Sequence, residues 1–255
     1  MPIKRAFACN LQGKLVSRKV TSTMLLFSIL TAAVAPGISL LTYFYLKDRY
    51  DAEPIHMVVR VFLLGVLIVL PIMVIQRGLL LWLGDGPILF SFTVSAGVEE
   101  LLKWFVLYHI IFNHTEFDEP YDGIVYAVAI SLGFATVENV LYAVFQPASV
   151  GSLLIRALLP VSGHALFGVT MGYYVGKAKF ANEAKKKRNF LLLAAAVPLA
   201  EHGVYDYIMG SGSTYWVWFI VPLMGYLWIK GVRKMNRANA RSPFRMLGHE
   251  EEIKL

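Results

Sequence analysis

The feature that most constrains this chain is a pair of adjacent glutamates buried in an apolar run long enough to cross a bilayer. Glu99, Glu100 and Lys103 stand inside residues 88–112, within the stretch Ser-Ala-Gly-Val-Glu-Glu-Leu-Leu-Lys-Trp at 95–104. At the helical rise per residue the carboxylates fall roughly 17 Å from the first end, near the midplane. On an isolated helix, three ionisable groups at that depth would cost on the order of 8–10 kcal/mol. The helix must therefore face protein or water, and its charges need partners. Lys103 lies at i+4 from Glu99 and i+3 from Glu100, so it shares a face with both. A purely structural ion pair needs one glutamate; here there are two.

Composition agrees with a membrane setting. The chain of 255 residues is 57% hydrophobic and only 16% charged, against about 25% charged in ordinary soluble domains. The single cysteine, Cys9, excludes an intrachain disulfide framework and a cysteine metal cluster. The net charge of +7 does not point to nucleic acid, because much of the Lys and Arg lies between or beyond apolar runs, where it sets orientation.

The hydropathy pattern predicts an all-α, polytopic helical membrane protein with about seven transmembrane helices. The spans fall near 24–46, 57–76, 88–112, 121–145, 152–176, 189–209 and 215–230, with 77–87 read as a short loop. Residues 24–235 form one membrane domain, and 236–255 a tail that begins basic and ends acidic. Lys177, Lys179, Lys185, Lys186, Lys187 and Arg188, with Arg233, Lys234 and Arg237, place loop 177–188 and the tail in the cytoplasm. Counting back puts the linker 47–56 there too, and the basic residues 1–23 outside. That conflict, with Met24 opening the first span, suggests a translation start at Met24 and residues 1–23 as a misassigned extension; the alternative is a re-entrant span.

Further polar groups lie at comparable depth. Glu138 and Asn139 sit past the middle of the fourth span, His164 in the fifth, and His202 and Asp206 in the sixth. His202 and Asp206 are at i and i+4 and share a face, whereas Glu201 points about 100° away. A carboxylate that orients the imidazole accounts for this pair, since both groups are expensive in lipid. Asn139 also fits interhelical glue, Glu138 a counter-charge, and His164 a core residue beside the packing stripe Gly168, Gly172 and Gly176. Arg156 and Asp122, nearer span ends, can snorkel. Tyr43, Phe44, Tyr45, Tyr173, Tyr174, Tyr215, Trp216 and Trp218 read as interfacial belts.

Paired glutamates, two histidines and an Asp within a membrane suit amide hydrolysis: a base for water, donors for the oxyanion and an acid for the leaving amine. Ser95 and Ser162 carry no nucleophile motif. Zinc is a rival, because two His and two Glu can ligate it, although no His-Glu-x-x-His spacing occurs. An ion- or proton-coupled transporter is a third reading, weakened by the lack of an internal repeat or a clearly broken helix pair.

The stretches GVEELLKW, FDEPYDGIVYAVAISLGFATVENVLY, RALLPVSGHALFGVTMGYYVGKAKF and EHGVYDY, together with VAPGISLLTYFYLKDRYDAEPIHMV, resemble the PrsW family of intramembrane proteases. That family stands within the wider group of the CAAX prenyl proteases. The resemblance covers residues 24–235 and leaves 1–23 outside. It implies a multi-pass enzyme of the bacterial plasma membrane with a cytoplasmic C-terminus. The implied substrate is a single-pass, RsiW-like anti-sigma factor, cut first at its extracytoplasmic side so that a sigma factor is later freed. Glu99 and Glu100 match the family's paired glutamates and His202 its late histidine. Glu138 and Asp206 stand where the prenyl proteases carry His and Asn. The resulting expectation is a glutamate-type protease without a cofactor. Catalytic groups are Glu99, Glu100, His202, Asp206, His164 and Glu138, with Lys103 and Asn139 in support.

Overall fold

A computed structural model describes residues 27–146 and 149–245. Residues 1–23, the suggested extension, and residues 246–255 of the tail lie outside the described residues. Among the described residues all regular structure is helical. The helices are α1 (Phe27–Tyr45), α2 (Ile55–Leu83), α3 (Ala96–Ile110), α4 (Asp122–Phe145), α5 (Ser162–Lys179), α6 (Ala184–Gly210) and α7 (Trp216–Asn239). Among the described residues, four helical stretches are long and apolar enough to cross a membrane: α1, α2, α4, and the continuous Gly151–Lys179 that ends in α5. Leu63, Leu67, Leu70 and Val74 of α2 are exposed, an apolar surface that suits lipid rather than water.

α4 is the central helix, packed between α2 and α5, while α6 closes over α3 and α5. Small residues set these distances. A Cβ on Gly172 would lie 2.1 Å from the Gly123 carbonyl oxygen, and one on Gly133 would lie 2.0 Å from that of Phe62. Backbones in such contact cannot accept a larger side chain, so the Gly168, Gly172 and Gly176 stripe is the α5 face against α4 and its approach.

Three boundaries differ from the hydropathy reading. The stretch 77–87 is not all loop: α2 continues through it to Leu83 and stops at Gly84, whose φ of 83° suits only glycine at a helix end. The third span is not one regular helix. A turn, Pro87–Leu89, and a π-helical stretch, Phe90–Ser95, precede α3. A second π-helical stretch, Ala157–Val161, carries Pro160 and leads into α5. The missing proline N–H is one reason for a widened turn there. α7 runs to Asn239, past the assumed start of the tail. Two belt aromatics, Phe44 and Tyr173, are instead buried in the core.

Candidate functional site

The two π-helical stretches end four residues before Glu99 and three before His164, and the helices that follow them carry these side chains to a common centre. There the Lys103 Nζ lies 2.8 Å from Glu100 Oε1, 3.4 Å from Glu99 Oε2 and 3.2 Å from His164 Nδ1. It also sits 4.3 Å over the Phe134 ring. His164 turns its Nε2 to Glu138 Oε2 at 2.9 Å. His202 Nδ1 is 3.0 Å from Glu100 Oε1, and its Nε2 is 3.4 Å from Asp206 Oδ2. A carboxylate at each nitrogen fixes the plane of this ring, and Phe167 stacks on it at 4.8 Å. Four helices thus bring Glu99, Glu100, Lys103, Glu138, His164, His202 and Asp206 into one connected cluster.

The two glutamates differ in access. Glu99 lines a cavity of about 220 Å³ together with Glu138, Arg156, His164, His202 and Asp206. Glu100 does not line it; the residue is fully buried behind Lys103 and His202. Asn139, singled out as support, does not touch the cluster through its hydrogen bonds. Its amide donates to the Ala33 carbonyl at 2.7 Å and its oxygen accepts from Arg156 Nε at 2.8 Å. Arg156 is therefore not a snorkelling residue: held by Asn139, it forms part of the cavity wall. Glu201 points to α7, where it pairs with Lys230. Gln76 had no sequence signal, because the predicted span ended on it; with α2 longer, its Nε2 donates to Glu99 Oε1 at 3.1 Å. Asp122 accepts from the backbone N–H groups of Asp118 and Glu119 at the foot of α4, a structural role.

Metal binding can be weighed from the donor set. Glu99, Glu100, His164 and His202 each offer a ligand atom within 4.8 Å of the others. Glu100 Oε2 is buried without a hydrogen-bond partner. Two imidazoles and two carboxylates are a fitting set for a zinc-like ion. Lys103 engages three of these four residues, so an ion would have to take the place of its ammonium group.

Fold and site together define a helical membrane protein with a carboxylate–imidazole centre enclosed by its helices. Residues 53–229 match the PrsW family of intramembrane metalloproteases. The chain is 49% identical to protease PrsW of Bacillus subtilis over 216 residues, covering 84% of this chain and 97% of that protein. Protease PrsW of Geobacillus kaustophilus is 49% identical over 214 residues, covering 84% and 93%. That of Clostridioides difficile is 33% identical over 201 residues, covering 75% and 83%. No solved structure matches the chain. The chain belongs to the PrsW family and is an intramembrane protease.

Proposed function

We propose that this protease makes the first cut in a single-pass anti-sigma factor of the RsiW type, near the extracytoplasmic surface of the bacterial plasma membrane. In this reading α3, α6 and α7 complete a seven-span bundle whose C-terminus is cytoplasmic. Asp206 lies four residues, roughly 6 Å, from the end of α6, and Arg156 lies close to the start of its span. Both ends face outside in the orientation set by the Lys- and Arg-rich loop 177–188. The cavity is thus shallow from the outer surface, where a scissile bond just beyond a substrate's own span would lie.

The observation that carries the mechanism is the unequal exposure of the paired acids. Glu99, at the cavity wall, is the base that takes a proton from water as the water attacks the scissile carbonyl. Gln76 and Lys103 hold its two oxygens in position. His202, held at Nδ1 by Glu100, donates from Nε2 to the developing oxyanion or to the leaving amine in place of its longer, 3.4 Å contact with Asp206. Glu100 anchors Lys103 and His202 from behind, and Glu138 orients His164. A second reading rests on the four converging donors. Where a divalent cation is bound, Glu99, Glu100, His164 and His202 would hold it, and it would polarise the carbonyl and acidify water.

The test is purified protease with purified anti-sigma substrate in detergent, the products mapped by mass spectrometry. The expected product is one cut on the extracytoplasmic side, lost in Glu99→Gln and Glu100→Gln. Cleavage at wild-type rate in both variants would remove the pair from the mechanism.

A further inference from the structure

A second carboxylate cluster lies at the other end of α4. Asp48 comes from the α1–α2 linker, Glu119 from the α3–α4 loop, and Asp122 from the first turn of α4. One carboxylate oxygen from each lies within 4.8 Å of the others. Glu53 joins them from the linker, beside Asp122, with one oxygen bonded to the Tyr126 hydroxyl. Sixteen residues of α4 separate Asp122 from Glu138, roughly 24 Å along the axis, so this cluster is distinct from the catalytic one.

Six of its eight carboxylate oxygens lack a hydrogen-bond partner. Both oxygens of Glu119, which is 0% exposed, are buried without a hydrogen bond. The same holds for both oxygens of Asp48, Oδ1 of Asp122 and Oε1 of Glu53. Among the described residues, none of the four forms an ion pair with Lys, Arg or His. The surrounding frame is built by specific bonds: Tyr45 donates to the Glu53 carbonyl at 2.9 Å and Tyr121 to that of Phe44 at 3.0 Å. Unpaired carboxylates held in such proximity repel, and each costs solvation free energy that a cation can return. The donors are all oxygen, with no imidazole or thiolate among them, which selects hard ions over zinc. A small cleft lined by Asp51, Glu53, Glu116 and Asp118 adjoins the cluster and offers an acidic path from solvent.

We propose that Asp48, Glu119 and Asp122, flanked by Glu53, bind one hard divalent cation, Ca²⁺ or Mg²⁺, that ties the α1–α2 linker to the foot of α4. The competing occupant is the proton: in the absence of an ion, burial pushes the Asp48 carboxyl up to about 9 and that of Glu53 up to about 8.

The experiment uses the full-length protein in detergent, stripped with EDTA, dialysed and titrated with CaCl2 or MgCl2. Thermal unfolding is the first readout, and terbium emission sensitised by the neighbouring tyrosines is the second. Saturation by at least one of the two ions should raise the melting temperature by about 5 °C. Which ion acts at the lower concentration distinguishes Ca²⁺ from Mg²⁺. Glu119→Gln and Asp48→Asn should each abolish the rise and the terbium signal, while Glu99→Gln keeps both. No rise and no terbium signal in the wild type, where protons suffice, would overturn the proposal. So would a rise that persists in Glu119→Gln and Asp48→Asn, or one lost only in Glu99→Gln, which would place the ion in the catalytic cluster.

Discussion

Replacing Lys103 by methionine tests the cluster most directly, because this lysine joins three side chains through one atom. Its Nζ is fully buried and engages Glu100, Glu99 and His164 at 2.8, 3.4 and 3.2 Å. Methionine fills similar volume but removes the charge. Glu100, itself fully buried, then keeps one charged or polar partner, His202 at 3.0 Å. Breaking a buried pair in this way costs about 3–5 kcal/mol, mostly as the solvation free energy of the stranded carboxylate. For a chain of this size that corresponds to a fall in melting temperature of about 10 °C. The double variant Lys103→Met/Glu100→Gln removes the stranded charge and should recover most of the loss, although it stays inactive. The assay is thermal unfolding in detergent containing a chelator, so that no divalent ion can replace the ammonium group. A single variant that melts within about 2 °C of wild type, or a double variant no more stable than the single, would refute the buried-charge argument.

Gly172→Ala should destabilise by about 1–3 kcal/mol or more, because its Cβ meets the Gly123 backbone at 2.1 Å. Gly78→Ala in α2, with nothing within 4 Å, should be neutral or stabilising by up to about 1 kcal/mol; paired melting curves check both. Asn139→Ala leaves Arg156 and the Ala33 carbonyl without their partner and should cost about 1–3 kcal/mol, again read by thermal unfolding. If Glu99 acts as base without a bound ion, exhaustive chelation should leave cleavage of the purified substrate within about twofold of the untreated enzyme. Loss of cleavage on chelation, restored by zinc, would favour the four-donor metal reading.

The charged groups within apolar runs were legible because lipid makes them costly wherever they stand, and that cost can be read one residue at a time. Their partners were legible only where helical spacing supplies them, as for Lys103 with Glu99 and Glu100, or His202 with Asp206. Gln76 was missed because hydropathy falls at Arg77, although the backbone stays helical to Leu83. Arg156 was misread because an arginine near a span end can either snorkel or turn inward, and the choice is made by Asn139 on another helix. The π-helical turns at 90–95 and 157–161 have no composition signature; of the two, only Pro160 gives a local cause. Asp48, Glu53, Glu119 and Asp122 read as ordinary polar residues of two loops and a helix start. Their shared burial arises only when α1, α2 and α4 pack.

Charge balance in the catalytic cluster links its two chemical readings. Glu99, Glu100, Glu138 and Asp206 supply four carboxylates, against two permanent cations, Lys103 and Arg156. Two negative charges remain, and a site enclosed within the bilayer must neutralise them. A proton on His202, which faces Glu100 and Asp206, and one on a carboxylate can do so, whereas His164 stays neutral because its Nδ1 lone pair accepts from the Lys103 ammonium group. A divalent cation can do so as well, but its donors include the groups now held by Lys103. The two solutions therefore exclude each other at a single atom, the Lys103 Nζ. A glutamate enzyme needs that ammonium group in place to position Glu99 and Glu100, and a metal enzyme needs it displaced. Lys103→Met should abolish cleavage irreparably in the first case. In the second it should leave the four donors free and cleavage responsive to added zinc, so one variant assayed with and without metal separates the mechanisms.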